Sequence, residues 1–169
     1  MIYYIIGYPV SGKSTFAKNL GKYYNIDVYD LDSVISSKYN KSINELFIEF
    51  SEDGFRKIEL NTLKEITELN QNKDIVLSTG GGCACRYENM EYMKSNGLVI
   101  YLSVSINTIY KRLTNNEEEI NKRPRFLKAK KEGNLFEFIL EDYEDREYWY
   151  KMADIKINYE SINNKWPQP

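Results

Sequence analysis

The sequence predicts an α/β fold built on a parallel sheet with helices between its strands. Five short apolar runs alternate with segments of helical spacing, and they lie at 2–6, 26–29, 75–78, 98–104 and 154–157. The first run enters a glycine-containing loop that leads directly into a helical segment. Alternation of this kind is typical of βαβ units, whose strands are parallel and whose crossovers are right-handed.

The helical segments are predicted from the spacing of apolar residues. They cover 15–24, 33–39, 43–50, 54–70, 88–94, 105–113 and 135–152. Ser105 or Asn107 is expected near the start of the sixth, where a short polar side chain can cap the helix. The fifteen tyrosines are scattered along the chain, and we interpret them as strand and core residues.

The composition favours a single domain that acts on a small molecule. At 169 residues the chain can bury one proper core and is too short for two full domains. Its 23 basic and 25 acidic residues leave a net charge of −2, which gives no general attraction to nucleic acid or to anionic membranes. The sequence starts with a strand and has neither a leader pattern nor an apolar run of membrane-spanning length, so we expect a cytoplasmic protein. We further expect it to act as a monomer.

Histidine is absent from the chain, which limits the chemistry available to it. Mechanisms of the Ser-His-Asp or Cys-His type are excluded, and a general base must be a carboxylate, Lys, Tyr or Cys. Cys83 and Cys85 are two residues apart, which suits neither a mutual disulfide nor, without further Cys or His, a zinc site. We interpret both as free thiols.

The loop after the first strand has the spacing of a phosphate-binding P-loop. Gly7, Gly12, Lys13 and Ser14 match G-x-x-x-x-G-K-[ST], and both flanks agree with the strand–loop–helix context that this motif requires. Backbone N–H groups, the helix dipole and the Lys13 ammonium would surround the phosphates, while the Ser14 hydroxyl would bind Mg²⁺. The alternative is a plain strand-to-helix turn with a surface lysine.

Two further loops should open onto the same edge of the sheet, because ligands in such folds bind beyond the carboxyl ends of the strands. Asp30 and Asp32 end the second predicted strand, and Gly80-Gly81-Gly82 follows the third. The two aspartates are candidates for metal or substrate binding; otherwise Asp32 caps the next helix and Asp30 is a solvated strand end. The glycines either bring the backbone close to a polar ligand or form a simple turn.

Arginines are the candidate donors for a small anionic substrate, since guanidinium groups bind carboxylates in a bidentate way. Arg56 and Arg146 lie in predicted helices among acidic residues, so solvated ion pairs are the alternative, with Glu52 and Glu59 at helical spacing from Arg56. The polar connection 114–133 contains Arg123 and is either a lid that closes over ATP or a solvated surface loop.

Taken together, these motifs resemble those of the shikimate kinase family, small P-loop kinases of the nucleoside-monophosphate-kinase type. The matching residues, in order, are Gly12-Lys13-Ser14-Thr15, Asp30-Leu31-Asp32, Glu52-Asp53-Gly54-Phe55-Arg56 with Glu59, Ser78-Thr79-Gly80-Gly81-Gly82, Arg123-Pro124, and Arg146 with Tyr150. Each motif is weak alone, but the ordered set is specific and covers about 6–158.

The resemblance implies a three-layer P-loop kinase fold with a five-stranded parallel sheet flanked by helices. It also implies a lid at about 114–133 and a small shikimate-binding subdomain at about 33–60. By the same resemblance, ATP would be held by Val10, Ser11, Gly12, Lys13, Ser14, Thr15, Arg112 and Arg123. Shikimate would be held by Asp32, Arg56, Gly80, Gly81 and Arg146. Mg²⁺ would bind Ser14, helped through water by Asp30, and the catalytic residues would be Lys13, Asp32 and Arg123.

Four features depart from the family's pattern. Val10 stands where another glycine is usual, so the loop backbone there is expected to be one that a β-branched residue tolerates. Ser51 replaces a common glycine, Arg125-Phe126 replaces an aliphatic pair after Arg-Pro, and Tyr148 replaces a proline that often follows the substrate arginine. None of them removes a charged group that the chemistry requires.

We therefore expect an ATP- and Mg²⁺-dependent kinase that phosphorylates the 3-hydroxyl of shikimate on the route to aromatic amino acids. One alternative is a kinase for another small hydroxy acid, such as gluconate, or for a nucleotide. The combination of Phe55-Arg56 with the triple glycine speaks against it. The other alternative is a catalytically silent nucleotide-binding module, which the retention of Lys13, Ser14, Asp32 and Arg123 speaks against.

Overall fold

Five strands form one parallel sheet in the order β2-β3-β1-β4-β5 in the computed structural model, which describes residues 1–162. The strands are β1 (Ile2–Ile6), β2 (Asp27–Asp30), β3 (Ile75–Ser78), β4 (Leu98–Ser103) and β5 (Ile155–Asn158). All four neighbouring pairs are parallel. The predicted five-stranded parallel sheet is confirmed.

The strand register brings three loops to one edge. Ser78 at the end of β3 pairs with Asp30 at the end of β2 on one side and with Ile5 of β1 on the other. The loops that follow these three strands therefore start at nearly the same level. The strand order also reverses beside β1, which is where ligands bind in open α/β sheets.

The helices lie between and after the strands, close to their predicted positions. They are α1 (Lys13–Tyr24), α2 (Leu31–Tyr39), α3 (Ile43–Leu69), α4 (Tyr87–Asn96), α5 (Ile106–Thr114), α6 (Glu117–Asn121), α7 (Pro124–Glu132), α8 (Leu135–Tyr150) and α9 (Tyr159–Ile162). The Ser105 side chain accepts a hydrogen bond from the Thr108 amide and so caps α5. No helix within the described range 1–162 is long and apolar enough to cross a membrane.

The segment 114–133 differs from the prediction of a connection without secondary structure, because it contains the two helices α6 and α7. Asn116 caps α6, Pro124 occupies the first turn of α7, and Gly133 ends α7 in the left-handed conformation. Each helix buries only a few apolar side chains, among them Ile120 and Phe126. The low apolar content concealed both helices.

α3 consists of two helical halves that meet at Ser51, in agreement with the two separate helices predicted over 43–50 and 54–70. Ser51 has φ 59° and ψ 176°, a combination that essentially only glycine adopts without strain. Ser42 and Glu45 form a reciprocal capping box at the start of the first half. The break at Ser51 lets the two halves run in different directions.

Four of the largest fully buried side chains are tyrosines, Tyr4, Tyr8, Tyr101 and Tyr150. The Tyr101 and Tyr143 hydroxyls lie 2.6 Å apart, and the Tyr101 ring stacks on that of Tyr150. Burial of a tyrosine costs little when its hydroxyl finds a partner. The interpretation of tyrosines as core residues is confirmed for this group and is wrong for four exposed helical tyrosines, Tyr23, Tyr24, Tyr87 and Tyr148.

We predict that Ser51→Gly raises the free energy of unfolding by about 1 kcal/mol, because glycine removes the Cβ strain and keeps the break in α3. Urea denaturation measures the change as a higher midpoint with an unchanged slope. Ser51→Ala is the matched control, since it removes the hydroxyl and retains the Cβ. If both variants were equally stabilised, loss of the hydroxyl and not relief of backbone strain would explain the effect, which would contradict the prediction.

Candidate active site

The loop 7–14 between β1 and α1 has the geometry of an anion-binding turn. Gly12 precedes α1 with φ 93°, and no side chain caps the helix, which leaves its first amides available to a ligand. The buried Lys13 ammonium donates a hydrogen bond to the Tyr8 carbonyl at 2.9 Å. The lysine is thus held along the loop by its own backbone.

Val10 has a backbone conformation that its side chain disfavours. Its φ is 55°, in the left-handed region, where a β-branched residue is rare. The expectation of a backbone that tolerates valine is therefore wrong. The Arg112 guanidinium donates to the Val10 carbonyl at 2.9 Å and lies over the Tyr159 ring at 4.4 Å, which fixes both Val10 and Arg112 beside Gly12.

Asp30 connects the P-loop to α2. One carboxylate oxygen accepts a hydrogen bond from the Ser14 hydroxyl at 2.7 Å, and the other accepts from the Ser33 amide at 3.1 Å. The alternative in which Asp32 caps α2 and Asp30 is a solvated strand end is wrong, because Asp30 is the cap. Ser14 and Asp30 therefore bring a hydroxyl and a carboxylate together at the start of α1.

Asp32 lies against the glycine turn. A Cβ atom on Gly80 would come within 2.8 Å of an Asp32 carboxylate oxygen, so the absence of a side chain at Gly80 makes room for the carboxylate. Among residues 1–162 the hydrogen bonds at this turn go to the Asp30 carboxylate, and none goes to the Asp32 carboxylate. Burial raises the pKa of Asp32, as does the negative charge of Asp30, while Lys13 and two arginines oppose the rise. Asp32 is thus a better proton acceptor than an ordinary aspartate.

Arg56 is largely buried, whereas the alternative to a substrate role was a solvated ion pair on an exposed helix face. Its Nη1 bonds Glu59 at 2.9 Å, and its Nη2 lies 3.6 Å from Glu52, so both helical pairings occur. The Glu59 side chain is only 1% exposed, however, and the pair is not solvated. The Arg56 guanidinium also lies 5.5 Å from each of the Phe47 and Phe55 rings. Burial raises the pKa of Glu59 to about 7, and the charge of Arg56 opposes this rise.

Arg146 pairs with Asp142, one helical turn before it, rather than with its immediate acidic neighbours. The Arg146 Nε and Nη2 lie 3.0 and 3.1 Å from the two Asp142 oxygens. Tyr8 donates its hydroxyl proton to the same carboxylate at 2.7 Å, and Arg125 approaches it at 3.0 Å. These contacts make the Arg146 pair buried and bidentate, not solvated.

Arg123 stands at the start of α7 and is held by α6. Its Nη1 donates to the Glu119 carbonyl at 2.9 Å and to the Glu119 carboxylate at 2.7 Å. On the opposite side, the Asn44 amide donates to the Lys122 carbonyl at 3.0 Å. The first half of α3 therefore contacts the segment between α6 and α7 directly.

Most of the predicted site residues line one cavity of about 1260 Å³. These are Val10, Gly12, Lys13, Ser14, Thr15, Asp30, Asp32, Gly80, Gly81, Arg112, Arg123 and Arg146. Ser11 is fully buried and does not line it. Arg56 lines a neighbouring cleft of about 400 Å³, which shares Arg146 with the main cavity.

Two residues of the site were missed in the sequence. Asp142 lies four residues before Arg146 on a predicted helix, so i,i+4 spacing alone would have predicted the ion pair. Tyr8 gave no such signal, because its hydroxyl reaches Asp142 only through the tertiary fold. The Tyr150 hydroxyl donates a hydrogen bond to the Gly81 carbonyl at 2.6 Å and so links α8 to the glycine turn.

Comparison with known proteins decides the family. The family model for shikimate kinase matches residues 9–166. The chain belongs to the shikimate kinase family. A shikimate kinase from Parabacteroides distasonis is 37% identical over 160 residues, which cover 94% of this chain and 88% of that protein. As a member of the family, the chain is an ATP-dependent kinase.

Solved shikimate kinase structures share the fold. The Bacteroides thetaiotaomicron enzyme has a TM-score of 0.86 and 33% identity, with coverage of 98% of this chain and 90% of the other. The Acinetobacter baumannii enzyme, solved in complex with shikimate, has a TM-score of 0.76 and 27% identity, with coverage of 92% and 82%. The predicted P-loop kinase fold is thereby confirmed.

We predict that this shikimate kinase family member binds nucleotide more weakly as the pH rises above 8. Burial lowers the pKa of Lys13 to about 8, so the charged amine that attracts phosphate is lost above that pH. Calorimetric titration with a non-hydrolysable ATP analogue between pH 7.5 and 9.5 should show affinity that falls by up to tenfold per pH unit. Lys13→Ala is the control, and an equal decline in that variant would contradict the assignment.

Proposed function

We propose that the protein transfers the γ-phosphoryl group of ATP to the 3-hydroxyl group of shikimate. The observation that carries this proposal is one cavity lined both by the P-loop and by Asp32, Gly80 and Arg146. A phosphoryl donor and a small acidic alcohol can meet there with water excluded. The names of the relatives support shikimate as the acceptor.

The nucleotide end would act through charge and positioning. Backbone amides at the start of α1 would bind the phosphates, and Lys13 would exchange its bond to the Tyr8 carbonyl for the β- and γ-phosphates. Arg123 would leave Glu119 to reach the transferred group, and Arg112 would lie near the adenine. Val10, Ser11, Gly12, Ser14 and Thr15 would complete the ATP site. Such contacts stabilise the charge that develops during phosphoryl transfer.

The acceptor end would hold a carboxylate and a hydroxyl at opposite sides. Arg146 and Arg56 would bind the carboxylate of shikimate, and the backbone of Gly80 and Gly81 would contact its ring substituents. Asp32 would accept the hydrogen bond of the 3-hydroxyl and take its proton as the bond to phosphorus forms. The raised pKa of Asp32 supports this role.

Ser14 and Asp30 fit a magnesium ion, because they offer a hydroxyl and a carboxylate oxygen joined by a 2.7 Å hydrogen bond at the cavity wall. Mg²⁺ is commonly bound through one or two protein oxygens and takes its other ligands from phosphates and water. When bound, Mg²⁺ would neutralise phosphate charge. We place Ser14 as its direct ligand and Asp30 as its ligand through water.

Segments 33–60 and 114–133 would serve as the acceptor-binding subdomain and the lid. The hydrogen bond from Asn44 to the Lys122 carbonyl supports their approach across the cavity. A lid that closes over bound substrates would limit transfer of the phosphoryl group to water. We propose that the protein does this as a monomer in the cytoplasm, which sedimentation and fractionation would test.

A coupled assay of ADP release tests the proposed activity. Shikimate should support turnover with Mg²⁺ present, and gluconate, nucleoside monophosphates and buffer alone should not. Phosphorus NMR of the product should place the new ester at the 3-hydroxyl. Turnover with gluconate or a nucleotide in place of shikimate would favour the other kinase class, and ATP binding without turnover on any acceptor would favour a silent module.

We predict that Asp32→Asn lowers the turnover number by about a hundredfold or more and leaves the ATP dissociation constant within twofold, because the residue faces the acceptor. Steady-state kinetics and calorimetry measure the two values. An equal loss of ATP affinity would show that Asp32 belongs to the nucleotide end.

We predict that Lys13→Ala weakens ATP binding and turnover together, because the lysine contacts phosphates in both the bound and the reacting states. The same two measurements check it. Unchanged ATP affinity in Lys13→Ala would contradict the phosphate role.

A further inference from the structure

Asp142 on α8 is a buried carboxylate, 9% exposed, that contacts three separate parts of the site. Its Oδ2 accepts a hydrogen bond from the Tyr8 hydroxyl at 2.7 Å and lies 3.0 Å from Arg146 Nε in an ion pair. Its Oδ1 accepts from Arg146 Nη2 at 3.1 Å and lies 3.0 Å from Arg125 Nη2. Each oxygen thus serves two donors. The donors come from the P-loop, from α8 itself and from α7.

We propose that Asp142 is a positioning residue that orients Arg146 toward the acceptor and latches α7 through Arg125. This inference rests on the proposed function, in which Arg146 binds the acceptor carboxylate. It concerns a residue and a contact that the motifs shared with the family do not include.

The first step of the argument is the orientation of Arg146. Asp142 occupies the Nε side of the guanidinium in a bidentate pair, and residues 1–162 offer Arg146 no other carboxylate. Asp142 thus holds the guanidinium from its Nε side, while Arg146 still lines both the main cavity and the neighbouring cleft, where an anionic ligand can reach it. Fixing a long side chain before binding removes much of the entropy cost of ordering it.

The second step is the charge balance. One carboxylate faces two guanidinium groups, which leaves one net positive charge for the single negative charge of a monocarboxylate acceptor. Without Asp142, Arg125 and Arg146 would repel one another at the same place. The buried Tyr8 hydroxyl would also lose its acceptor.

The third step is the link to α7. Arg125 lies two residues after Arg123, so the bond to Asp142 limits where Arg123 can lie. The Arg125 side chain is 65% exposed and also lies over the Phe138 ring at 5.1 Å. An exposed partner can leave and return readily, whereas the buried Arg146 pair persists. Asp142 can therefore hold Arg146 in place while α7 opens and closes.

Kinetics of Asp142→Asn test the positioning role, because asparagine preserves shape and removes the charge. The KM for shikimate should rise about tenfold or more, while the KM for ATP stays within twofold. Asp145→Asn, at an exposed position on the same helix, is the matched control and should change neither value. A change confined to thermal stability, with both KM values unaltered, would overturn the positioning role.

Hydrogen exchange of residues 117–133 tests the latch without any substrate. Arg125→Leu should speed exchange in α7 about two- to fivefold, and Asp142→Asn should do the same. The double variant should be no faster than either single variant, because both remove one contact. Lys128→Leu, which removes an exposed cation of the same helix, should leave exchange unchanged.

The two failures can be told apart. If the unaltered enzyme does not phosphorylate shikimate, the proposed function fails, and exchange alone then decides the latch. If it does phosphorylate shikimate, an unchanged shikimate KM in Asp142→Asn overturns the inference. Unchanged exchange in Arg125→Leu overturns it in either case.

Discussion

The level carboxyl edge of three parallel strands is the constraint on which the site depends. Ser78 pairs with both Asp30 and Ile5, so the P-loop, the aspartate turn and the glycine turn begin side by side. A slip of one residue in β2 would turn Asp30 to the opposite face of the sheet and separate it from Ser14. The short contact between Asp32 and Gly80 depends on the same register. Sheet pairing, rather than any single side chain, therefore places the proposed donor and acceptor sites at one cavity.

Positive charge around that cavity is balanced in two different ways. Lys13 and Arg112 donate hydrogen bonds to backbone carbonyls. A carbonyl group is a dipole without net charge, so the positive charges of the two side chains are not neutralised and can attract phosphates. Arg56 and Arg146 are paired with buried carboxylates, which neutralise most of theirs. At the proposed nucleotide end, Lys13 and Arg112 thus keep more of their charge than the two paired arginines, whereas Arg123 there is paired with the Glu119 carboxylate. The proposed acceptor end keeps directional N–H groups and a smaller net positive charge, which suits a ligand that carries a single carboxylate.

The parts that sequence alone could predict are those fixed by local patterns. The strands, the P-loop and both halves of α3 follow from periodicity and from residues at fixed spacing. The helices α6 and α7 were missed because they bury few apolar side chains and are defined mainly by their caps. Burial of Arg56 was also missed, since it depends on Gly82 approaching the guanidinium from another segment. Asp30 caps α2 because β2 ends at Asp30 and α2 starts at Leu31. The exact ends of strands and helices are the features that sequence patterns predict least well.

Strain at Ser51 shows how the fold overrides local preference to build the acceptor site. The rings of Phe47 and Phe55 stack with centroids 4.2 Å apart, although eight residues of continuous helix would separate them by about 12 Å along the axis. Only the break between them at Ser51 permits the contact. Arg56 then lies 5.5 Å from both rings, so the aromatic pair supports the guanidinium that Glu59 binds. The strained backbone at the exposed Ser51 costs about 1–3 kcal/mol. Stacking of the two phenylalanine rings and their cation–π contacts with Arg56 offset this cost. The strained residue and the functional arginine are therefore parts of one structural device, although they do not touch.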